Sequence, residues 1–134
     1  MNQLRALEPS GEIEKLQKLA VLDVGKRTEF WKRLLDIDVW VLGTSTSDNV
    51  LVLHTWVGSE DAGAVFTSRV LLENVMEPNS PWLQLNARVA FGAMAAEGLG
   101  TFLNPRYECQ VRLRSRDLEA LLSGCFDDVQ GGDA

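Results

Sequence analysis

Two short signatures, Val65-Phe66-Thr67-Ser68 and Phe102-Leu103-Asn104-Pro105, constrain the fold more than anything else in the chain. Each leads an apolar run of strand character into a polar turn, and helical stretches lie between them. Strand alternating with helix means that helices must bury an apolar face on a sheet. Thr67, Ser68 and Asn104 have two readings. Side chains of these types at strand ends cap helices and hold turns; capping accounts for Thr67 and Ser68, and an Asn-Pro turn accounts for Asn104. If their strands are parallel neighbours, both turns also open on one edge of the sheet, where α/β folds often place ligands.

The flanking pattern fills in the remaining elements. A helix is expected from Ser10, with Ile13, Leu16, Leu19 and Ala20 on its dry face and Glu12, Glu14, Lys15 and Lys18 on the wet side. Gly25-Lys26-Arg27 reads as a break, with a second helix after Thr28 carrying Phe30, Trp31, Leu34 and Leu35. Ile37 to Leu42 alternates apolar residues on both faces, as a strand inside a sheet does. Val50 to Val57 reads as its hairpin partner. A strand over 64–66 leads to a helix capped by Thr67 or Ser68. Two prolines break the chain at 78–81, and Trp82 to Leu85 is extended. Asn86 caps a helix to Glu97, closed by Gly98 as its left-handed C′ residue. Strands over 99–103 and 108–113 follow, then a helix capped by Ser115 that ends at Gly124. The expectation is an α+β (mixed α/β) single domain over residues 10–124, with a five- to six-stranded mixed sheet flanked by helices. Residues 1–9 form an extension and 125–134 a flexible acidic tail.

Composition excludes several functions. The 134 residues suffice for one core, and 46% hydrophobic with 24% charged residues is a globular composition. The formal net charge of −6 opposes both nucleic-acid binding and adsorption to anionic membranes. No apolar run is long enough to span a bilayer, and Met1 to Ser10 lacks a signal-peptide core, so a cytoplasmic location is expected.

The ordered set of motifs resembles a known family. The strand into Phe66-Thr67-Ser68, the capped helix, and Leu99-Gly100-Thr101-Phe102-Leu103-Asn104-Pro105 are similar to the SseB N-terminal domain, a family named for enhanced serine sensitivity. The likeness takes in Phe30-Trp31-Lys32-Arg33-Leu34-Leu35, Asp38-Val39-Trp40-Val41-Leu42 and the closing helix, covering roughly residues 10 to 124. It implies an α/β fold in the bacterial cytoplasm and supplies no catalytic residues. Larger members add a C-terminal domain.

The remaining polar residues offer little chemistry. His54 is the only histidine, and a general base would need a partner and a nucleophile beside it. Cys109 could serve as that nucleophile if cations held it as thiolate, but its alternation with Val111 and Leu113 puts it most simply in the core. One histidine and two separated cysteines make no zinc motif, and the glycines form no phosphate cradle, so neither metal nor cofactor is expected. Arg112 and Arg114 project to one side of the last strand, where guanidinium groups suit carboxylates, unless local acids such as Glu108 or Glu119 already pair them. Four tryptophans exceed what a small core needs, and Trp82, following Pro81, is the one expected nearest the surface. Arg112, Arg114 and Trp82 are therefore the candidate partner-binding residues. The expected function is non-enzymatic: a protein-binding or regulatory module with a protein partner or a second copy of itself. The alternatives are an adaptor, chaperone-like or immunity-type protein for a basic partner and, more remotely, a small enzyme using Cys109 and His54.

Overall fold

The computed structural model describes residues 5–6, 11–48, 50–56, 58–108 and 110–129. The expectations for Ser10 and Cys109 lie outside the described residues. Two helices open the chain, α1 (Glu12–Leu22) and α2 (Val24–Leu34), followed by strands β1 (Asp38–Ser45), β2 (Leu51–Leu53) and β3 (Ala62–Phe66). Then come α3 (Arg69–Glu73), β4 (Trp82–Asn86), α4 (Ala87–Ala96), β5 (Gly100–Leu103), β6 (Val111–Leu113) and α5 (Ser115–Leu122). The architecture is α+β, with a six-stranded mixed sheet among the described residues.

β1 is the organising strand, as its two apolar faces require. It pairs antiparallel with β4 through the register from Asp38↔Asn86 to Leu42↔Trp82. On its opposite side it pairs antiparallel with β3 at Trp40↔Phe66 and, further along, with β2 at Gly43↔Leu53. β3 and β5 run parallel, and β6 closes that end antiparallel to β5. Gly100 permits the last pairing, because a Cβ there would stand 2.3 Å from the Leu113 carbonyl oxygen.

The sheet is covered unevenly. One face buries Val39, Val41, Val65, Leu103 and Leu113 under α1, α2, α4 and α5, whose Leu16, Phe30, Phe91 and Leu118 complete the main core. The other face presents Trp40, Leu42, Ala64, Phe66 and Phe102 and is covered by α3 and the segment after it. The alternation of strand side chains assigns neighbouring residues to these opposite faces.

Several local expectations are corrected. The break between the first helices falls at Asp23, whose Oδ1 accepts the Gly25 N–H at 2.9 Å, so Gly25-Lys26-Arg27 lies inside α2. Arg27 is held there because its Nε donates to the Ala20 carbonyl at the end of α1, 2.9 Å away. In α1 Leu16, Gln17 and Ala20 are buried with Ile13 half-buried in the same stripe, which leaves Leu19 50% exposed and takes Gln17 inside. Glu14, expected in water, is buried, and its Oε1 accepts the Gly11 N–H at 2.7 Å. Of the described residues of Val50–Val57, only Leu51–Leu53 are strand. Ser115 is the first residue of α5 rather than its cap; the Asp117 carboxylate reaches back to the Arg114 N–H at 2.8 Å.

Other local expectations match the structure. The Asn86 side chain caps α4 through the Arg88 N–H at 2.9 Å. Gly98 (φ 71°) closes it, with the Gly98 N–H on Ala95 and the Leu99 N–H on Met94, the paired bonds of a Schellman end. The flexible tail expected over 125–134 is corrected in its described part: Phe126–Asp128 form a 3-10 turn, and Phe126 and Val129 pack against the main core.

Candidate functional site

The two signature turns meet. Because β3 and β5 are parallel neighbours, Thr67 and Asn104 leave the sheet side by side, and the turns are fastened by one side chain. Asn104 is fully buried with φ 49°, a left-handed conformation that asparagine tolerates better than most residues. Its Oδ1 accepts the Thr67 N–H at 3.0 Å, and its Nδ2 donates to Thr67 Oγ1 at 3.0 Å and to Gln17 Oε1 at 2.8 Å. The Asn104 N–H in turn reaches the Val65 carbonyl at 2.7 Å. Asn104 is thus a three-way clasp between β3, β5 and α1. Ser68 does the capping, its Oγ accepting the Leu71 N–H at 3.3 Å. Thr67, Ser68 and Asn104 serve the architecture here, and the buried amide of Asn104 does not face solvent.

Beyond Pro105, Tyr107 turns back beneath α3, and its hydroxyl donates to the Leu71 carbonyl at 2.5 Å in a fully buried setting. Burial pushes this phenol above its ordinary value, partly opposed by a hydrogen bond with Asn74 and by the positive charge of Arg5. A phenol raised in the folded state above about 10, the unfolded value, favours the protonated fold. Its contribution to stability is complete below about pH 10 and is lost as pH rises through the folded value. Tyr107→Phe is expected to lower stability near neutral pH by about 1–2 kcal/mol, since the Leu71 carbonyl loses a buried donor. The same substitution flattens the alkaline decline, and urea midpoints measured from neutral to strongly alkaline pH check both effects.

A groove lies above the thinly covered face. α3 sits over β3 and leaves a groove of about 460 Å³ between itself, the segment ending at Ser80, and β1 with β4. Trp40 and Trp82, both half-buried, lie on this side with Leu72 and Met76, and Glu73 and Glu77 stand on the rim. Phe66 supports the floor, its ring edge-to-face with Trp82 at 5.3 Å. Trp82 Nε1 is covered and has no acceptor among the described residues. Arg69 lies over the Trp40 ring at 5.5 Å and pairs with Glu73 at 2.6 Å, while Glu77 makes no ion pair among the described residues.

Arginines cover other aromatic residues of the same face. Arg106 lies 5.5 Å over Trp56, and Arg112 lies 5.4 Å over Phe102. These contacts shield rings that no helix covers, each contributing on the order of 0.5–1 kcal/mol where exposed. Arg112 is also bonded to both oxygens of Asp61, at 3.0 and 3.2 Å. Its partner is therefore an acid from the loop before β3, not Glu108 or Glu119. Arg114 is exposed at the N-terminus of α5. The structure brings Trp82 to the groove and holds Arg112 and Arg114 at the far end of the sheet with β6. His54 is exposed, and its imidazole makes no hydrogen bond among the described residues; Cys125 is exposed and free.

Sequence reasoning missed Gln17, Trp40, Arg69, Glu73, Met76 and Glu77. The stripe 13, 16, 17, 20 was a legible signal for Gln17, since a polar residue in a buried stripe needs a polar partner. Nothing local announced the groove, which exists only once β4 is laid beside β1.

The model of the SseB protein N-terminal domain matches residues 14–120. Protein SseB of Escherichia coli (strain K12) is 26% identical over 123 residues, covering 86% of this chain and 47% of the relative. Protein SseB of Shigella flexneri matches with the same identity and coverage. The chain thus spans about half the length of the curated relatives it matches. No solved structure matches. Among the described residues no helix is long and apolar enough to cross a membrane. With α1 through α5 and the joined turns lying inside the matched region or at its margins, the chain belongs to the SseB protein N-terminal domain family.

Proposed function

We propose that this chain is a non-enzymatic protein-binding module that holds a segment of a partner protein in the groove beside α3. The observation that carries the reading is the uneven cover of the sheet: four helices on one face, and on the other a five-residue helix that leaves two tryptophans half-buried in a concavity. Half-buried tryptophan beside flexible methionine is the surface chemistry of protein contacts. A net charge of −6 supports a protein partner over nucleic acid or anionic lipid. It also supports an adaptor-like role toward a basic partner, because Glu77 stands at the rim without an ion pair among the described residues and an acidic surface speeds encounter with a basic one.

Affinity capture from the native cell tests the reading through substitutions on exposed side chains. Glu77→Lys is expected to weaken capture of the partner by about tenfold or more, the loss typical of an interface charge turned to its opposite. Arg112→Glu and Arg114→Glu are expected to leave it intact. The reverse pattern moves the contact to β6 and rejects the groove.

A further inference from the structure

Among the described residues β4 is an edge strand with one partner. Its register with β1 is bracketed by two backbone bonds, Gly43 N–H to Pro81 O at 2.8 Å and Ala87 N–H to Ile37 O at 2.9 Å. Bonded and non-bonded pairs alternate in an antiparallel ladder, so Leu83 and Leu85 exchange bonds with β1. The main-chain N–H and C=O of Trp82 and Gln84, and the N–H of Asn86, consequently point away from the sheet. Among the described residues no other strand pairs with β4, and no backbone bond from Trp82, Gln84 or Asn86 leads elsewhere. Gln84 is exposed. Edges of this kind are ordinarily blunted by charge, proline or a bulge. Trp82-Leu83-Gln84-Leu85-Asn86 contains no charged residue and no proline, and its register with β1 is unbroken.

We propose that the free edge of β4 takes an extended segment of a partner protein as an additional strand, with a long basic side chain laid across the groove. The proposal rests on the protein-binding reading and names the partner's chemistry. Donors and acceptors alternating at a strand spacing are matched by an extended polypeptide, not by a helix or a compact small molecule. Trp82, Gln84 and Asn86 lie on the groove side of the sheet, because their register partners Leu42, Trp40 and Asp38 do. Every second side chain of the added strand therefore falls on that side, toward Glu77 and Glu73. Arg69 displays the contact such a side chain would make, stacked on Trp40 and bonded to Glu73. The charge of −6 on each molecule opposes a second copy at this edge and favours a basic segment.

The edge residues themselves provide the test. Gln84→Pro removes an outward N–H that the ladder with β1 does not use, so the variant is expected to fold. Hydrogen exchange and amide shifts are read during titration with a short capped peptide alternating threonine and valine around a central arginine. Protection of the Gln84 amide is expected, with binding weakened about tenfold or more by Gln84→Pro, which removes the ladder donor. An N-methylated peptide, blocked on the edge facing β4, is expected not to bind, whatever the folding of the protein variant. Replacing the central arginine by alanine is expected to weaken binding and to remove its sensitivity to Glu77→Lys. Shifts confined to α3 and Trp40, or partner capture that survives Gln84→Pro yet is lost with Glu77→Lys, overturn strand addition and leave the protein-binding reading standing. Concentration-dependent self-association abolished by Gln84→Pro assigns the edge to a second copy and overturns the basic segment.

Discussion

Asn104→Ala is expected to destabilise the fold by about 4 kcal/mol, the cost of removing buried hydrogen-bond partners and straining the backbone together. Alanine cannot accept the Thr67 N–H, which stays buried, and it withdraws a donor from Gln17 Oε1. A Cβ without a polar side chain also fares worse than asparagine at φ 49°. Asn104→Gly separates these contributions: it loses the same hydrogen bonds and relieves the left-handed strain, so it is expected to recover about 1 kcal/mol relative to alanine. Urea unfolding with an unchanged denaturant slope is the measurement. Equal midpoints for the alanine and glycine variants would remove the backbone contribution. A loss below about 1 kcal/mol for alanine, no more than an ordinary neutral hydrogen bond, would reject the clasp altogether.

The clasp also shows what could be read from the residues and what could not. Parallel pairing of the strands before Thr67 and Asn104 was stated as a condition, and the register Val65↔Leu103 meets it. Alternation assigned Ile37, Val39 and Val41 to one face and Trp40 and Leu42 to the other, because a strand's period is geometric and survives any context. The ends of α4 were legible for a similar reason: Asn86 and Gly98 act through their own backbone neighbours. Apolar pattern alone misplaced Leu19, since the stripe of α1 passes through Gln17, whose burial depends on the Asn104 amide in the turn after β5. The break before α2 was misread because Arg27 is satisfied by the last turn of α1, a tertiary contact that local propensity does not contain. The groove and the free edge of β4 were illegible for the same reason. Both arise from where one strand is laid beside another, and no single segment records that.

Phe66→Ala is expected to cost about 4 kcal/mol, in the range for truncating a fully buried phenylalanine. Phe66 is wholly inaccessible and makes edge-to-face contacts with Trp82 at 5.3 Å, Tyr107 at 6.4 Å and Trp56 at 6.5 Å. The face it occupies has little with which to close a cavity, because α3 is five residues long and the arginines above the rings are tied to acids or lie on the surface. Phe66→Leu retains much of the volume and is expected to cost about 1.5 kcal/mol, as shape changes in a core do. The near-ultraviolet circular dichroism of the tryptophans should change in the alanine variant under conditions where it remains folded, since Trp82 loses its supporting ring. The two signature residues, similar in expected cost, are thereby separated by function. Asn104 acts on the far side of the strand ends, through α1, so an Asn104→Ala protein that is still folded should keep its groove and its partner. A folded Phe66→Ala protein should lose the partner, because the floor of the groove rests on that ring. Equal retention by both variants would detach the groove from binding, whatever their stabilities.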